Sequence, residues 1–258
     1  MVNIQNIQKD LEQLLFSVGN IVEQGYKDKN KEVSTKKDDN NFVTLLTKYD
    51  ISVNKKIIEY LELQYPEFSI ISEEAPEINK PSDYSFVVDP IDGTRNFVRS
   101  IPLFFIGIGF VKKNQTILSV THNPITKDMF WAIKGKGAYL NGNKIEVSDR
   151  ILKESDVIVR TLPNKKLEKE VVTNIIENVH QVKNNMCSHD EISGVACNRY
   201  DAIVSKGSSP WDYCHYLLVE EAGGKATDWN GAAFDISKDN IILSNGIIHD
   251  ELLKMVKK

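Results

Sequence analysis

Cysteine is scarce in this 258-residue chain: there are three, Cys187, Cys197 and Cys214, and no CxxC pair. An odd number without paired spacing argues against a disulfide framework and a zinc knuckle, and reads as reduced, partly buried thiols in a reducing compartment. No apolar run approaches the ~18 residues of a membrane span. The opening Met1-Val2-Asn3-Ile4 has no basic stretch followed by an apolar one, so no secretory leader is expected. Concentrated basic charge is missing too. Lys and Arg number 32 against 36 Asp and Glu, a formal net charge of −4, and the cations are spread along the chain. That balance argues against wholesale nucleic-acid or membrane binding. Two nucleotide signatures are absent. Gly135-Lys136-Gly137 runs into Ala138-Tyr139-Leu140 without a third glycine, and no G-x-x-x-x-G-K-[ST] loop occurs, so neither dinucleotide nor NTP-driven chemistry is supported. What remains is an ordinary globular composition, 41% hydrophobic and 26% charged, expected in the cytoplasm and long enough for one large core or two packed sub-domains.

Residues 4 to 25 carry apolar side chains at three- and four-residue steps and predict an amphipathic helix, with Gly25 as its stop. Residues 27 to 41 are almost wholly polar and predict a mobile surface loop. A second helix is expected at about 50 to 64. Strand-like pieces follow at 68–72, 84–89, 103–111, 116–122 and 128–133, with Asn141-Gly142 as a hairpin turn. Beyond about 150 the pattern alternates: strands at 156–160, 201–205, 225–228 and 240–244, helices at 165–179, 190–199, 211–222 and 247–257. The first half reads as α+β and the second as α/β, with the best boundary at 143–152. This gives an N-terminal sub-domain, 1–145, carrying most of the candidate ligands, and a C-terminal one, 146–258.

The chemistry lies in acids at strand ends. Phe86-Val87-Val88 is a buried-type strand running into Asp89-Pro90-Ile91-Asp92-Gly93-Thr94. Pro90 cannot donate to a ladder, so the strand is expected to end there, and Gly93 permits a turn or a close ligand approach. Ser69-Ile70-Ile71-Ser72 leads likewise into Glu73-Glu74, and Pro210-Trp211-Asp212 opens a helix. Gathered carboxylates repel one another unless a cation compensates them. Oxygen donors without His or Cys suit Mg²⁺ or Mn²⁺ rather than zinc. The amides of Gly93 and Thr94, at a helix start, would add donors for phosphate oxygens. Taken singly, each segment also has a structural explanation: Asp212 as a helix-start acid, Glu73-Glu74 as a solvated turn, Asp89-Pro90 as a strand terminator. Spacing alone does not bring them together.

Taken together, these segments resemble the inositol monophosphatase family of metal-dependent sugar phosphatases. Asp89-Pro90-Ile91-Asp92-Gly93-Thr94 matches its D-P-[IL]-D-G-T signature, and Ser72-Glu73-Glu74 its [GS]-E-E segment. Trp211-Asp212 followed by Glu221-Ala222-Gly223-Gly224 matches W-D and E-A-G-G. Leu46-Thr47-Lys48-Tyr49-Asp50 fits [LV]-T-x-x-D, and the 135–142 stretch fits a G-x-G-A-[YF]-x-N-G hairpin. The resemblance covers roughly residues 42 to 245.

The resemblance implies a layered αβαβα sandwich of the sugar-phosphatase type, assembled as a homodimer. It implies two or three Mg²⁺: Glu73, Asp89 and the Ile91 carbonyl for the first, Asp89, Asp92 and Asp212 for the second, Glu73 again for a weaker third. Thr94, hydrogen-bonded to Asp50, would orient or deprotonate the attacking water, assisted by Glu73 or Glu74. Gly93 and Thr94 would hold the phosphate, and Ser188, His189, Ser205 and Asp212 would line the substrate pocket. The polar 27–41 stretch resembles the family's flap, without indicating which of its lysines reaches the site. Lithium inhibition follows as a family expectation. The implied activity is hydrolysis of a small phosphorylated metabolite, inositol monophosphate by default. Alternatives are fructose 1,6-bisphosphate, adenosine 3′,5′-bisphosphate, NADP and histidinol phosphate, and, outside enzymes, a regulatory binding protein. The pocket departs from the inositol-selective pattern. Met186-Cys187-Ser188-His189 stands where G-[ST]-A-A is usual, Ser205 where a Glu is frequent, and Cys214-His215 where two small residues are usual. His215 is therefore either a packed helix residue or a pocket-lining group.

Overall fold

The computed structural model describes residues 2–37, 43–160, 169–207 and 209–257. Two helices open the chain, α1 (Ile4–Lys27) and α2 (Lys48–Gln64), separated by a hairpin of β1 (Ser34–Lys37) and β2 (Val43–Leu46). Next come β3 (Ser69–Ser72), β4 (Ala75–Ile78), β5 (Tyr84–Asp92), α3 (Thr94–Val98), β6 (Phe105–Lys112), β7 (Gln115–His122), β8 (Met129–Ile133), β9 (Gly137–Leu140) and β10 (Asn143–Ile145). The second half holds β11 (Asp156–Arg160), α4 (Lys169–Asn178), β12 (Gln181–Lys183), α5 (Ser188–Ala196) and β13 (Ala202–Lys206). After these come α6 (Pro210–Tyr213), a 3₁₀ turn at 214–216, α7 (Leu217–Glu221), β14 (Lys225–Thr227), β15 (Asn240–Ser244) and α8 (His249–Val256).

Period-two alternation along the strands builds the layers. The large sheet has order β10-β9-β8-β7-β6-β5-β3-β4. On β5, Phe86 and Val88 face the core under α1 and α2, while Val87 faces the opposite core, shared with α5 and α7. The smaller sheet has order β12-β11-β13-β15-β14. Its Ile158, Ile203 and Leu243 face that same central core, and Val157, Val159 and Val204 face a third core under α4 and α8. The order is therefore helices, sheet, helices, sheet, helices: an αβαβα sandwich. Each fully buried Ile, Val, Leu or Phe contributes roughly 1.5–3 kcal/mol toward holding these layers.

Four expectations need correction. Helix α1 continues past Gly25 to Lys27. That glycine serves packing, since a Cβ there would lie 2.7 Å from the Tyr49 ring of α2. Strand β5 continues past Pro90: its pairing steps from Asp89↔Gly107 to Asp92↔Phe105, a bulge that absorbs the proline and re-aims the chain. The polar 27–41 stretch contains β1, paired in register with β2, and a buried Lys31; residues 38–41 lie outside those described. The helix expected at 211–222 is broken into α6, the 3₁₀ turn and α7, which seats Cys214 and His215 against Gly109 and Gly107 of β6. Of the helix expected at 165–179, residues 165–168 fall outside the described residues. No helix among the described residues is long and apolar enough to cross a membrane.

Candidate metal and phosphate site

The bulge in β5 sets the first half of the site. Asp89 and Asp92 are both buried, and Gly93 follows at φ 85°, a left-handed conformation that lets the chain enter α3 at once. A Cβ on Gly93 would stand 2.9 Å from the Leu103 carbonyl, so that turn needs glycine. Glu73 is pinned alongside, because its N–H donates to the Val88 carbonyl at 3.2 Å.

The second half arrives through α5 and α6. Asp212 belongs to a capping box with Ser209 at the start of α6. Ser188 Oγ, at the first position of α5, lies 3.0 Å from Asp92 Oδ1 and 3.0 Å from Asp212 Oδ1. One hydroxyl proton serves one carboxylate at a time, and this shared hydroxyl brings the acids of the two halves to a common point. Asp92 Oδ2 accepts from the His189 N–H at 2.6 Å and from the Cys187 thiol at 3.0 Å.

These environments split the acids. Burial raises Asp92, but the charges of His189 and Arg160 together with its hydrogen bonds outweigh that and hold it below the usual range. Asp89 is driven well above the usual range by burial and by the charges of Glu73, Asp92, Asp212 and Glu74, and its Oδ1 is buried without a hydrogen-bond partner. Burial pushes Glu73 up to about 8, against the opposing pull of Lys36. Lys36, on β1, donates from Nζ to Glu73 Oε1 at 3.0 Å and to Glu74 Oε1 at 2.5 Å.

Thr94 Oγ1, at the start of α3, is 3.3 Å from Asp50 Oδ1 and 3.0 Å from the Ile91 carbonyl oxygen. Asp50 is fixed by the Thr47 N–H at 2.8 Å and by the Thr47 hydroxyl, and burial pushes it up to about 6.

Among the described residues, no group of three or more His, Cys, Asp or Glu side chains is set, as it stands, to hold a metal ion. Lys36 holds Glu73 and Glu74 instead. The donor set nonetheless fits a hard divalent cation. It is all oxygen, burial and the charges of the other acids raise Asp89, and one of the buried Asp89 carboxylate oxygens lacks a hydrogen-bond partner.

The anticipated pocket residues divide. Ser188 reaches the acids. Ser205 is buried on β13, directly paired with Arg160 of β11. The His189 ring is fully buried, with Nε2 3.0 Å from the Trp211 carbonyl oxygen and Nδ1 3.2 Å from Thr121 Oγ1, so this residue reaches the site through its backbone. His215 is also fully buried and packed, with Nδ1 2.6 Å from Ser119 Oγ and Nε2 without a hydrogen-bond partner. Arg160 was not anticipated. Its NH1 lies 3.7 Å from Asp212 Oδ1 and its Nε 3.6 Å from Glu191 Oε2. As the last residue of a buried strand it carries little signal in the sequence.

The layer order and the strand-end acids define a sandwich of the sugar-phosphatase type. The chain belongs to the inositol monophosphatase family, whose pattern it matches over residues 3–258. It is 29% identical over 246 residues to the Nus factor SuhB of Haemophilus influenzae, covering 93% of this chain and 91% of that protein. It is 30% identical over 218 residues to the fructose-1,6-bisphosphatase/inositol-1-monophosphatase of Thermotoga maritima, covering 84% of each. The crystal structure of extragenic suppressor protein suhB from Bartonella henselae has a TM-score of 0.88 at 27% identity, over 98% of this chain and 99% of that one. Family membership supports a phosphatase role.

Proposed function

We propose that the chain hydrolyses a small phosphate monoester with magnesium, releasing an alcohol and inorganic phosphate. One observation carries this reading: Asp92 and Asp212, from the two halves of the chain, each lie 3.0 Å from the Ser188 hydroxyl, beside an Asp89 with a buried, unpartnered oxygen. Glu73, Asp89, Asp92, Asp212 and the Ile91 carbonyl would hold the cations, two or three in number, with Mn²⁺ as a substitute. When bound, magnesium supplies positive charge against the phosphoryl oxygens and lowers the pKa of water.

The protein's own groups do the rest. Gly93 and Thr94 present N–H groups to the phosphate. Thr94 orients the attacking water and passes a proton toward Asp50, whose elevated pKa of about 6 suits a proton acceptor near neutrality. Glu74 assists from the Lys36 side. Inositol monophosphate is the default substrate that the family resemblance implies, and the departures of the pocket from the inositol-selective pattern leave the choice open. Fructose 1,6-bisphosphate, adenosine 3′,5′-bisphosphate, NADP and histidinol phosphate are the alternatives. The same reading places the enzyme in the cytoplasm as a homodimer, sensitive to lithium, with 1–145 and 146–258 as its two sub-domains. A phosphate-release panel across these substrates, with magnesium, with EDTA and with lithium, tests it. Metal-dependent turnover of at least one is expected, and turnover of none overturns it.

The relative named a Nus factor supports a second reading, a regulatory protein acting through partners. The net charge of −4 argues against direct RNA affinity in that case. Capture of a partner combined with hydrolysis of no monoester would favour it.

A further inference from the structure

The side chain of Arg160 retains 13% of its exposure and its guanidinium lies over the Tyr213 ring, 5.6 Å from the centroid, yet among the described residues its five N–H donors are almost unused. Tyr213 Oη is 3.5 Å from NH1, at the outer limit of a hydrogen bond. Glu191 Oε2 is 3.6 Å from Nε and Asp212 Oδ1 3.7 Å from NH1, both beyond it. A bidentate guanidinium–carboxylate pair closes at about 2.8 Å. The ion pair of Arg160 with Glu191 instead stays at 3.6 Å, and Glu191 Oε2 is buried with no hydrogen-bond partner, while Oε1 accepts from the Asn185 N–H at 2.8 Å. A desolvated cation with an open fork is costly unless something else completes it.

Its place in the fold says what that is. Arg160 is the last residue of β11, at the carboxyl end of a strand parallel to β13. Ligands of α/β sheets bind at those ends. In register beside it stands Ser205, a hydroxyl, so this pair presents no carboxylate. Asp212 adjoins it on the side of the proposed metal site. A mostly buried, planar, donor-only group at this edge matches an oxyanion, not a neutral polyol, whose hydroxyls also need acceptors.

We propose that Arg160 is a specificity-determining residue that binds a second anionic group, phosphate or carboxylate, on the part of the substrate that is not hydrolysed. The inference rests on the phosphatase reading and narrows it to monoesters carrying a second negative group.

The test compares kcat/KM, with magnesium, for two doubly anionic monoesters against two with uncharged remainders. The first pair is fructose 1,6-bisphosphate and 3-phosphoglycerate, which separate phosphate from carboxylate. The second pair is inositol 1-phosphate and glycerol 2-phosphate. Wild type prefers one of the first pair. R160M lowers that selectivity ratio by about 10- to 100-fold, the worth of hydrogen bonds to a charged group, chiefly through KM. R160K lowers it by a smaller factor, because a point charge lacks the fork; it also carries the test should R160M fail to fold. Damage transmitted through Asp212 slows all four substrates alike and leaves the ratio unmoved. An unmoved ratio in an active enzyme overturns the role of Arg160 alone. Absence of turnover for all four in wild type overturns the phosphatase reading and this assignment with it.

Discussion

The rings of His189 and His215 meet edge to face, with 4.1 Å between their centroids. They meet over Gly107, where an added Cβ would lie 2.3 Å from both His189 Cε1 and His215 Nε2. His189 carries the consequence to the site, because its N–H holds Asp92 and its Nε2 holds the Trp211 carbonyl next to Asp212. G107A should therefore destabilise the protein by about 1–3 kcal/mol, the usual cost of overpacking. The double variant G107A/H215A, which makes room, should lose less than the sum of its parts. Urea unfolding of the four proteins in that cycle measures the coupling, and additivity would refute the contact.

Glu191 is buried, and burial pushes it up to about 7 from 4.5. The folded state keeps a proton that the unfolded chain has released. The contribution is fully present below about pH 4.5 and is lost as pH rises toward about 7. In EDTA, E191Q should therefore gain on wild type across that window and run parallel to it below. His249 works on the other limb. Burial lowers it to about 4 from 6.5, between Thr227 Oγ1 and Ser244 Oγ. Stability should fall as pH drops through 6.5 toward about 4. Thermal melts from pH 4 to 8 check both slopes.

Asp92→Asn keeps the shape of a side chain that accepts from His189, Cys187 and Ser188 but removes the charge of a proposed metal ligand. Turnover should drop by at least ~100-fold, in keeping with the several kcal/mol of charge stabilisation a catalytic metal supplies. The circular dichroism should stay that of wild type. Near-normal turnover would remove Asp92 from the assigned machinery.

Elements with strong periodicity were legible in the sequence. α1 stands out because Ile7, Leu11, Leu14, Leu15, Val18 and Val22 form one buried stripe. Errors arose where packing overrode a local rule, as at Gly25 against Tyr49 and at Pro90 inside a bulge. Strand β1 reads Ser-Thr-Lys-Lys and has no apolar face to betray it. β4 contains a proline and two exposed positions, and pairs at the sheet edge with β3 alone. The acids were visible as strand-end residues, but their convergence depends on the bulge of β5 and on Ser188, and residue spacing encodes neither. Arg160 was invisible for the reason that makes it informative: it is a charge at the end of a buried strand, and its neighbours come from α5 and α6.

Calorimetric titration of the metal-free protein with magnesium chloride tests the central claim most directly. Wild type should take up magnesium with a saturable heat, and Asp89→Asn and Asp92→Asn should bind at least ~10-fold more weakly while remaining folded. No uptake by folded wild type, or identical isotherms for all three proteins, would contradict it.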